Sequence, residues 1–254
     1  MSRVAICASL TLLLISIVGA EEPSQSAAPP SPASVRDTEH SLDWAALSRY
    51  RAEDSQLQTS TGAQGRVVFM GDSITEAWAV DTQHFFPGKP YIGRGISGQT
   101  TPQMLLRFQQ DVVALHPRVA VINGGTNDIA GNTGPSTLQM IEDNLKSMVQ
   151  IAVANGIKPV LASVTPAFEY PWRPGMQPAE KIFALNAWMK SWCVEHGCVY
   201  CDYFSALADS AHGMRDGLSS DGVHPNAAGY AIMQSIAERA IAQAMAGRNS
   251  GRSQ

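Results

Sequence analysis

From residue 66 onward, short apolar runs alternate with longer stretches of mixed polarity. Val67 to Met70, Tyr91 to Ile96, Val119 to Asn123, Pro159 to Val164 and Val199 to Phe204 are rich in β-branched and aromatic residues, which predicts strands. Between and after them, Pro102 to Leu115, Thr137 to Ala154, Ala179 to His196 and Ala227 to Ala246 carry helical patterning, and Gly156 and Gly197 stand at helix-stop positions. The strands are apolar almost throughout, as in a sheet covered on both faces, so the pattern predicts a three-layer α/β/α domain with a five-stranded parallel sheet. Ahead of it, Ser41 to Trp44 reads as a helix start, with Trp44, Leu47 and Tyr50 at helical spacing and a packing role. Two longer loops, Pro166 to Pro178 and Asp209 to Ser220, are expected on the carboxyl side of the sheet. Tyr170, Trp172 and Arg173 in the first fit substrate contact and surface packing equally well.

The ends of the chain read differently. In residues 1–20, Arg3 precedes an apolar run from Val4 to Val18, and Val18-Gly19-Ala20 gives a small-residue cleavage site. This predicts an export signal rather than a membrane anchor, since the run is short and ends in small residues followed by acids. Residues 21–40, rich in Pro, Ser and Ala, are expected to be a flexible tether. Residues 41–246 form the domain and 247–254 a disordered tail. The product should be periplasmic or secreted, with no stable membrane insertion after cleavage. A net charge of -4 without a basic block argues against nucleic acid as a partner. Beyond Cys7, which lies in the leader, Cys193, Cys198 and Cys201 allow one bridge and one free thiol, with the pairing open. His196 lies close to them, but without a second Cys/His cluster zinc is not expected.

Four stretches carry candidate chemistry. Gly71-Asp72-Ser73 sits where the first strand hands over to a helix, a position where ligands bind in parallel sheets. Asp221 and His224, three residues apart before the last helix, have the spacing of a base and the carboxylate that orients it. Gly124-Gly125-Thr126-Asn127 offers an amide donor at a strand end. Gly95, within Arg94 to Thr101, offers an unshielded backbone N–H. Each also has an ordinary reading as a cap, a helix-opening histidine, or a turn. Taken together, they all fall at carboxyl ends of predicted strands, or in the loop after the last, as one site would require.

Taken along the chain as Gly71-Asp72-Ser73, Gly95, Gly125-Thr126-Asn127-Asp128 and Asp221 to His224, the four stretches resemble, block by block and in the same order, the SGNH hydrolases, the GDSL esterase/lipase family, over about residues 64–243. The resemblance implies a flavodoxin-like fold. It implies Ser73 as nucleophile, His224 as general base, Asp221 as its carboxylate partner, and an oxyanion hole from Ser73, Gly95 and Asn127. Arg94 to Thr101 and Leu106-Arg107-Phe108 look most like the platelet-activating-factor acetylhydrolase-like bacterial subgroup, in which Arg94 stands where some members carry asparagine, a departure of little expected consequence. The implied activity is hydrolysis of carboxylic esters with short acyl groups on a carbohydrate, a lysophospholipid-like or another small alcohol, with no metal or organic cofactor. Acyl transfer by the same residues and a non-catalytic binding domain are the alternatives. The Gly-x-Ser-x-Gly elbow of α/β-hydrolases is absent. Asp72 and Asp128 are expected to hold loop N–H groups. Met104, Met140, Met148, Met189 and Met233 are expected in the core.

Overall fold

Strands β1 (Val67–Gly71), β2 (Tyr91–Gly95), β3 (Val119–Asn123), β4 (Lys158–Ala162) and β5 (Val199–Cys201) form a single parallel sheet in the order β2-β1-β3-β4-β5. The computed structural model describes residues 42–59, 64–81 and 83–247. The leader and tether read at 1–20 and 21–40, and the tail beyond Gly247, lie outside the described residues. After β1 the chain adds β2 on one side, then crosses to add β3 on the other, which makes the β1/β3 boundary the switch point where a crevice opens. The register puts Gly71 level with both Gly95 and Asn123, so three strand ends carrying candidate residues finish in line.

Helices cover both faces, and alternation along the strands explains how. Val68, Met70, Ala120, Ile122 and Leu161 pack with Met104 and Phe108 of helix α3 (Thr101–Asp111), Leu145 and Met148 of α5 (Leu138–Ala154), and Leu185 and Met189 of α6 (Ala179–His196). The intervening Val67, Phe69, Val119, Val121 and Val160 face the other way. They meet Ile74 and Trp78 of α2 (Ser73–Val80), and Met233, Ala237 and Ile241 of α8 (Ala227–Ala246). The expected three-layer α/β/α architecture follows from this two-sided burial. Short helices α4 (Thr126–Ile129) and α7 (Phe204–Leu207) cap strand ends.

Several boundaries differ from the sequence pattern. The stretch around Trp44 to Tyr50 is a series of turns, and helix α1 runs from Arg51 to Thr59. The Asp43 carboxylate captures the Leu47 and Ser48 N–H groups, and Ala46 takes a left-handed φ of 53°, so no helix can propagate there. Helix α3 ends at Asp111 and a separate 3-10 turn covers Val113–Leu115, where one helix was expected. Strand β5 stops at Cys201. Met140 is half exposed on α5, whereas Met104, Met148, Met189 and Met233 are buried. The disulfide joins Cys193 to Cys198 where α6 turns into β5, and leaves Cys201 as a buried thiol.

Candidate active site

Ser73 is the first residue of α2, directly after β1. Asp72 caps that helix, its Oδ1 accepting the Ile74 N–H at 3.0 Å, and Ser73 is thereby presented at the positive end of the helix. His224 lies on the segment before α8, 151 residues further on, and its Nε2 is 2.9 Å from Ser73 Oγ. Its other ring nitrogen, Nδ1, is 2.6 Å from Asp221 Oδ2.

Asp221 is held from several sides. Its Oδ1 accepts the backbone N–H groups of Val223 and His224 at 2.9 and 2.8 Å and the Ser219 hydroxyl at 3.0 Å. Burial pushes its carboxyl pKa up, but the His224 side chain, then the His224 and Val223 backbone N–H groups, hold it well below the usual carboxylate range. An ionised carboxylate only accepts, so Nδ1 carries the imidazole proton and the Nε2 lone pair faces the Ser73 hydroxyl. Tyr230 on α8 fixes the spacing: its hydroxyl donates to the Ile74 carbonyl at 2.9 Å, and its ring stacks on Trp78 with centroids 5.3 Å apart.

The two remaining predicted residues come to the same end of the sheet. Gly95 ends β2 beside the start of α2. A Cβ at this position would sit 2.1 Å from Glu76 N and 2.6 Å from Asp72 O, so only glycine lets the nucleophile helix approach. Asn127 is buried in α4, after Gly125 has turned the chain with a φ of 125°. The loop after β2 joins the two, with Ile96 N–H donating to the Gly71 carbonyl at 3.1 Å and Asn127 Nδ2 donating to the Gln99 carbonyl at 3.0 Å. Ser73, His224 and Asp221 are thus directly connected, and Gly95 and Asn127 flank the same turn.

The surroundings hold residues to which the sequence pattern assigns no role in the site. Arg94 is buried. Its Nε and Nη2 donate to Asp54 Oδ1 on α1 at 2.9 and 2.6 Å, and its guanidinium lies 4.5 Å from the Tyr50 ring centroid. Tyr50 in turn donates to the Gly95 carbonyl. Arg107, fully buried, pairs with Asp111 at 2.9 Å and donates to the Gly71 carbonyl at 2.9 Å. These side chains grip the backbone at Gly71 and Gly95. Arg94, expected to matter little, is therefore a brace for the second strand end; its partner stands forty positions away, which local patterning cannot reveal. Asp72 and Asp128 do hold N–H groups: Asp128 accepts from the Thr101 N–H at 2.9 Å and its hydroxyl at 2.6 Å. Burial raises the Asp72 carboxyl to about 6, against the Ile74 N–H and the charge of His224, which lower it.

On the open side, the Trp172 ring centroid is 6.0 Å from that of His224, and the indole stacks on the buried Tyr170 at 5.0 Å. The side chains of His224 and Asp221 are each about one-third exposed, at 34% and 37%. Among the described residues, no group of three His, Cys, Asp or Glu side chains is arranged to hold a metal ion, and no helix is long and apolar enough to cross a membrane.

Comparison with known proteins matches residues 69–232 to the GDSL-like Lipase/Acylhydrolase family. A GDSL-like lipase of Bacteroides thetaiotaomicron is 41% identical, with a TM-score of 0.75 over 79% of this chain and 98% of its own. A Streptococcus pneumonia protein described as a platelet activating factor shares the fold at 22% identity, with a TM-score of 0.68 over 83% of this chain and all of its own (100%). The uncharacterized lipoprotein YqeF of Bacillus subtilis is 31% identical over 134 residues, which are 44% of this chain and 55% of that protein. The chain therefore spans about half the length of that curated relative.

Proposed function

The chain belongs to the GDSL-like lipase/acylhydrolase family, and we propose that it is a serine esterase working through an acyl-enzyme on Ser73. The observation that carries this reading is the unbroken line from Asp221 Oδ2 through His224 to Ser73 Oγ, with contacts of 2.6 and 2.9 Å. Ser73 Oγ bonds to the ester carbonyl carbon while His224 Nε2 takes its proton, and Asp221 stabilises the imidazolium. The N–H groups of Ser73 and Gly95 and the Asn127 amide receive the oxyanion. Collapse breaks the bond to the alcohol oxygen, which leaves with the proton from Nε2. Water then attacks the acyl carbon as His224 Nε2 takes one of its protons, and collapse breaks the bond to Ser73 Oγ, which recovers that proton from Nε2 as the carboxylic acid is released.

The acyl group is short. Ser73, Asp221 and His224 line neither of two cavities of about 460 Å³ and 530 Å³ found elsewhere on the domain. The partly exposed imidazole, with Trp172 beside it, supports an open site for the ester of a small alcohol or sugar. The leader read at 1–20, and the lipoprotein name of one relative, support export to the periplasm or medium.

Turnover of acetyl to decanoyl nitrophenyl esters by the parent and by Ser73→Ala tests the proposal, together with labelling by an organophosphonate. Activity should concentrate on the acetyl ester, and Ser73→Ala should lose both turnover and label. Near-parent turnover in Ser73→Ala refutes the assignment.

A further inference from the structure

Asn132 was not singled out by any motif, yet it stands between the exposed indole beside His224 and the buried amide of Asn127. Trp172 Nε1 donates to Asn132 Oδ1 at 3.2 Å. Asn132 Nδ2 donates to Asn127 Oδ1 at 2.8 Å, with a longer contact of 3.3 Å to the Gly98 carbonyl. Asn127 Nδ2 then donates to the Gln99 carbonyl at 3.0 Å.

The direction of this chain of hydrogen bonds is fixed from both ends. An indole N–H can only donate, so the Asn132 atom facing it must be the oxygen. A backbone carbonyl can only accept, so the Asn127 atom facing Gln99 must be the nitrogen. Each constraint alone sets the middle contact as Asn132 nitrogen to Asn127 oxygen, and the two agree. Asn127 is 2% exposed, so water cannot restore a partner if its amide turns over. In the observed orientation one of its two N–H groups serves Gln99 and the second is uncommitted.

We propose that Asn132, oriented by Trp172, is a positioning residue that locks the Asn127 amide with its uncommitted N–H toward the oxyanion. The proposal rests on the reading of Asn127 as an oxyanion donor. Trp172 then has two roles, bounding the open side of the site and setting the polarity of the relay. An amide free to rotate would present its carbonyl oxygen to the developing negative charge for part of the time, repelling what it should stabilise.

Asn132→Asp is the informative variant. It is nearly isosteric and still accepts from Trp172, but it offers no donor to Asn127, so the Asn127 amide should turn to donate to the new carboxylate. On nitrophenyl acetate, Asn127→Ala should lower kcat by about 100-fold or more, the usual effect of losing one oxyanion donor. Asn132→Asp should approach that loss, and Asn132→Ala should fall by about tenfold, with KM within about threefold in both. Trp172→Phe, which keeps a ring but removes the N–H at a solvent-facing position, should lower kcat by a few fold. In the Asn127→Ala background, the Asn132 and Trp172 changes should each alter kcat by less than about twofold, because their target is gone. A full Asn132→Asp loss that persists in that background would mean the new charge acts directly, and would overturn the relay. Parent-like kcat in Asn132→Asp beside an impaired Asn127→Ala also overturns the relay and leaves the esterase reading standing. Parent-like kcat in Asn127→Ala overturns the donor role and the relay together.

Discussion

Asp72→Asn should make the protein more stable at neutral pH while making it a poorer enzyme. Asp72 is buried next to Ser73, and its carboxyl is raised from 3.8 to about 6, mainly by desolvation. A carboxyl with the higher pKa in the folded state favours folding when protonated. That contribution is complete below the unfolded value of 3.8 and disappears as pH rises through about 6. At 1.36 kcal/mol for each tenfold step the whole loss is about 3 kcal/mol, of which about 2 kcal/mol falls between about pH 4 and about pH 7.5. Asparagine keeps an oxygen to accept the Ile74 N–H, so the helix cap survives while the charge goes. The unfolding free energy of the variant relative to the parent, from urea titrations followed by tryptophan fluorescence, should therefore climb by about 2 kcal/mol across that range. Meanwhile kcat should fall, because the buried carboxylate and His224 attract one another and the imidazolium formed in the reaction loses that support. A stability difference that is flat with pH, or that shrinks as pH rises, would refute the burial argument.

Other changes probe the rest of the frame. Gly95→Ala forces a methyl into the backbone of α2 at 2.1 Å from Glu76 N, and should cost about 2 kcal/mol or more in denaturant melts, with activity lost as Ser73 is displaced. Asp221→Asn should cut kcat by about 10⁴-fold, since an amide cannot hold the Nδ1–H tautomer, with a modest loss of stability because the carboxylate that accepts the Val223 and His224 N–H groups becomes a neutral acceptor; a loss of kcat under about tenfold would count against the relay through His224. Arg107→Met strands the Asp111 carboxylate in the core, and should lower the unfolding free energy by about 3 kcal/mol or more. Replacing Cys193 and Cys198 by serine opens a short loop where α6 enters β5, at the opposite end of the strands from Ser73, so stability should drop by about 2 kcal/mol with kcat/KM intact.

Much of this architecture is legible in the chain because the signals are local. Val67 to Met70 followed by Gly71-Asp72-Ser73 announces a buried strand and a turn, and the long helices α6 and α8 run where periodicity and the stop at Gly197 put them. The grouping of Ser73, His224, Asp221, Gly95 and Asn127 could be inferred because parallel strands put all their carboxyl ends on one side. The supporting contacts could not. Tyr50 meets Gly95 and Asp54 meets Arg94 across forty or more positions, and the apolar spacing of Trp44, Leu47 and Tyr50 imitated a helix that Asp43 prevents. Asn132 escaped notice because an asparagine in a Gly- and Thr-rich stretch looks like any turn residue; only the indole that reaches it from a distant loop gives it a direction.

Tyr50 and Asp54 have a consequence for where this molecule begins as a working object. The family match opens at residue 69, after both of them. A fragment cut at that border would retain every reacting group, but would lose Val67 and Val68 of the central strand, strip the cover from Arg94 and release the carbonyl of Gly95. The smallest competent unit thus takes in the whole of β1 and the buttress that Tyr50 and Asp54 lay against β2, and trimming to the signature would yield a protein that is complete on paper and slack in solution.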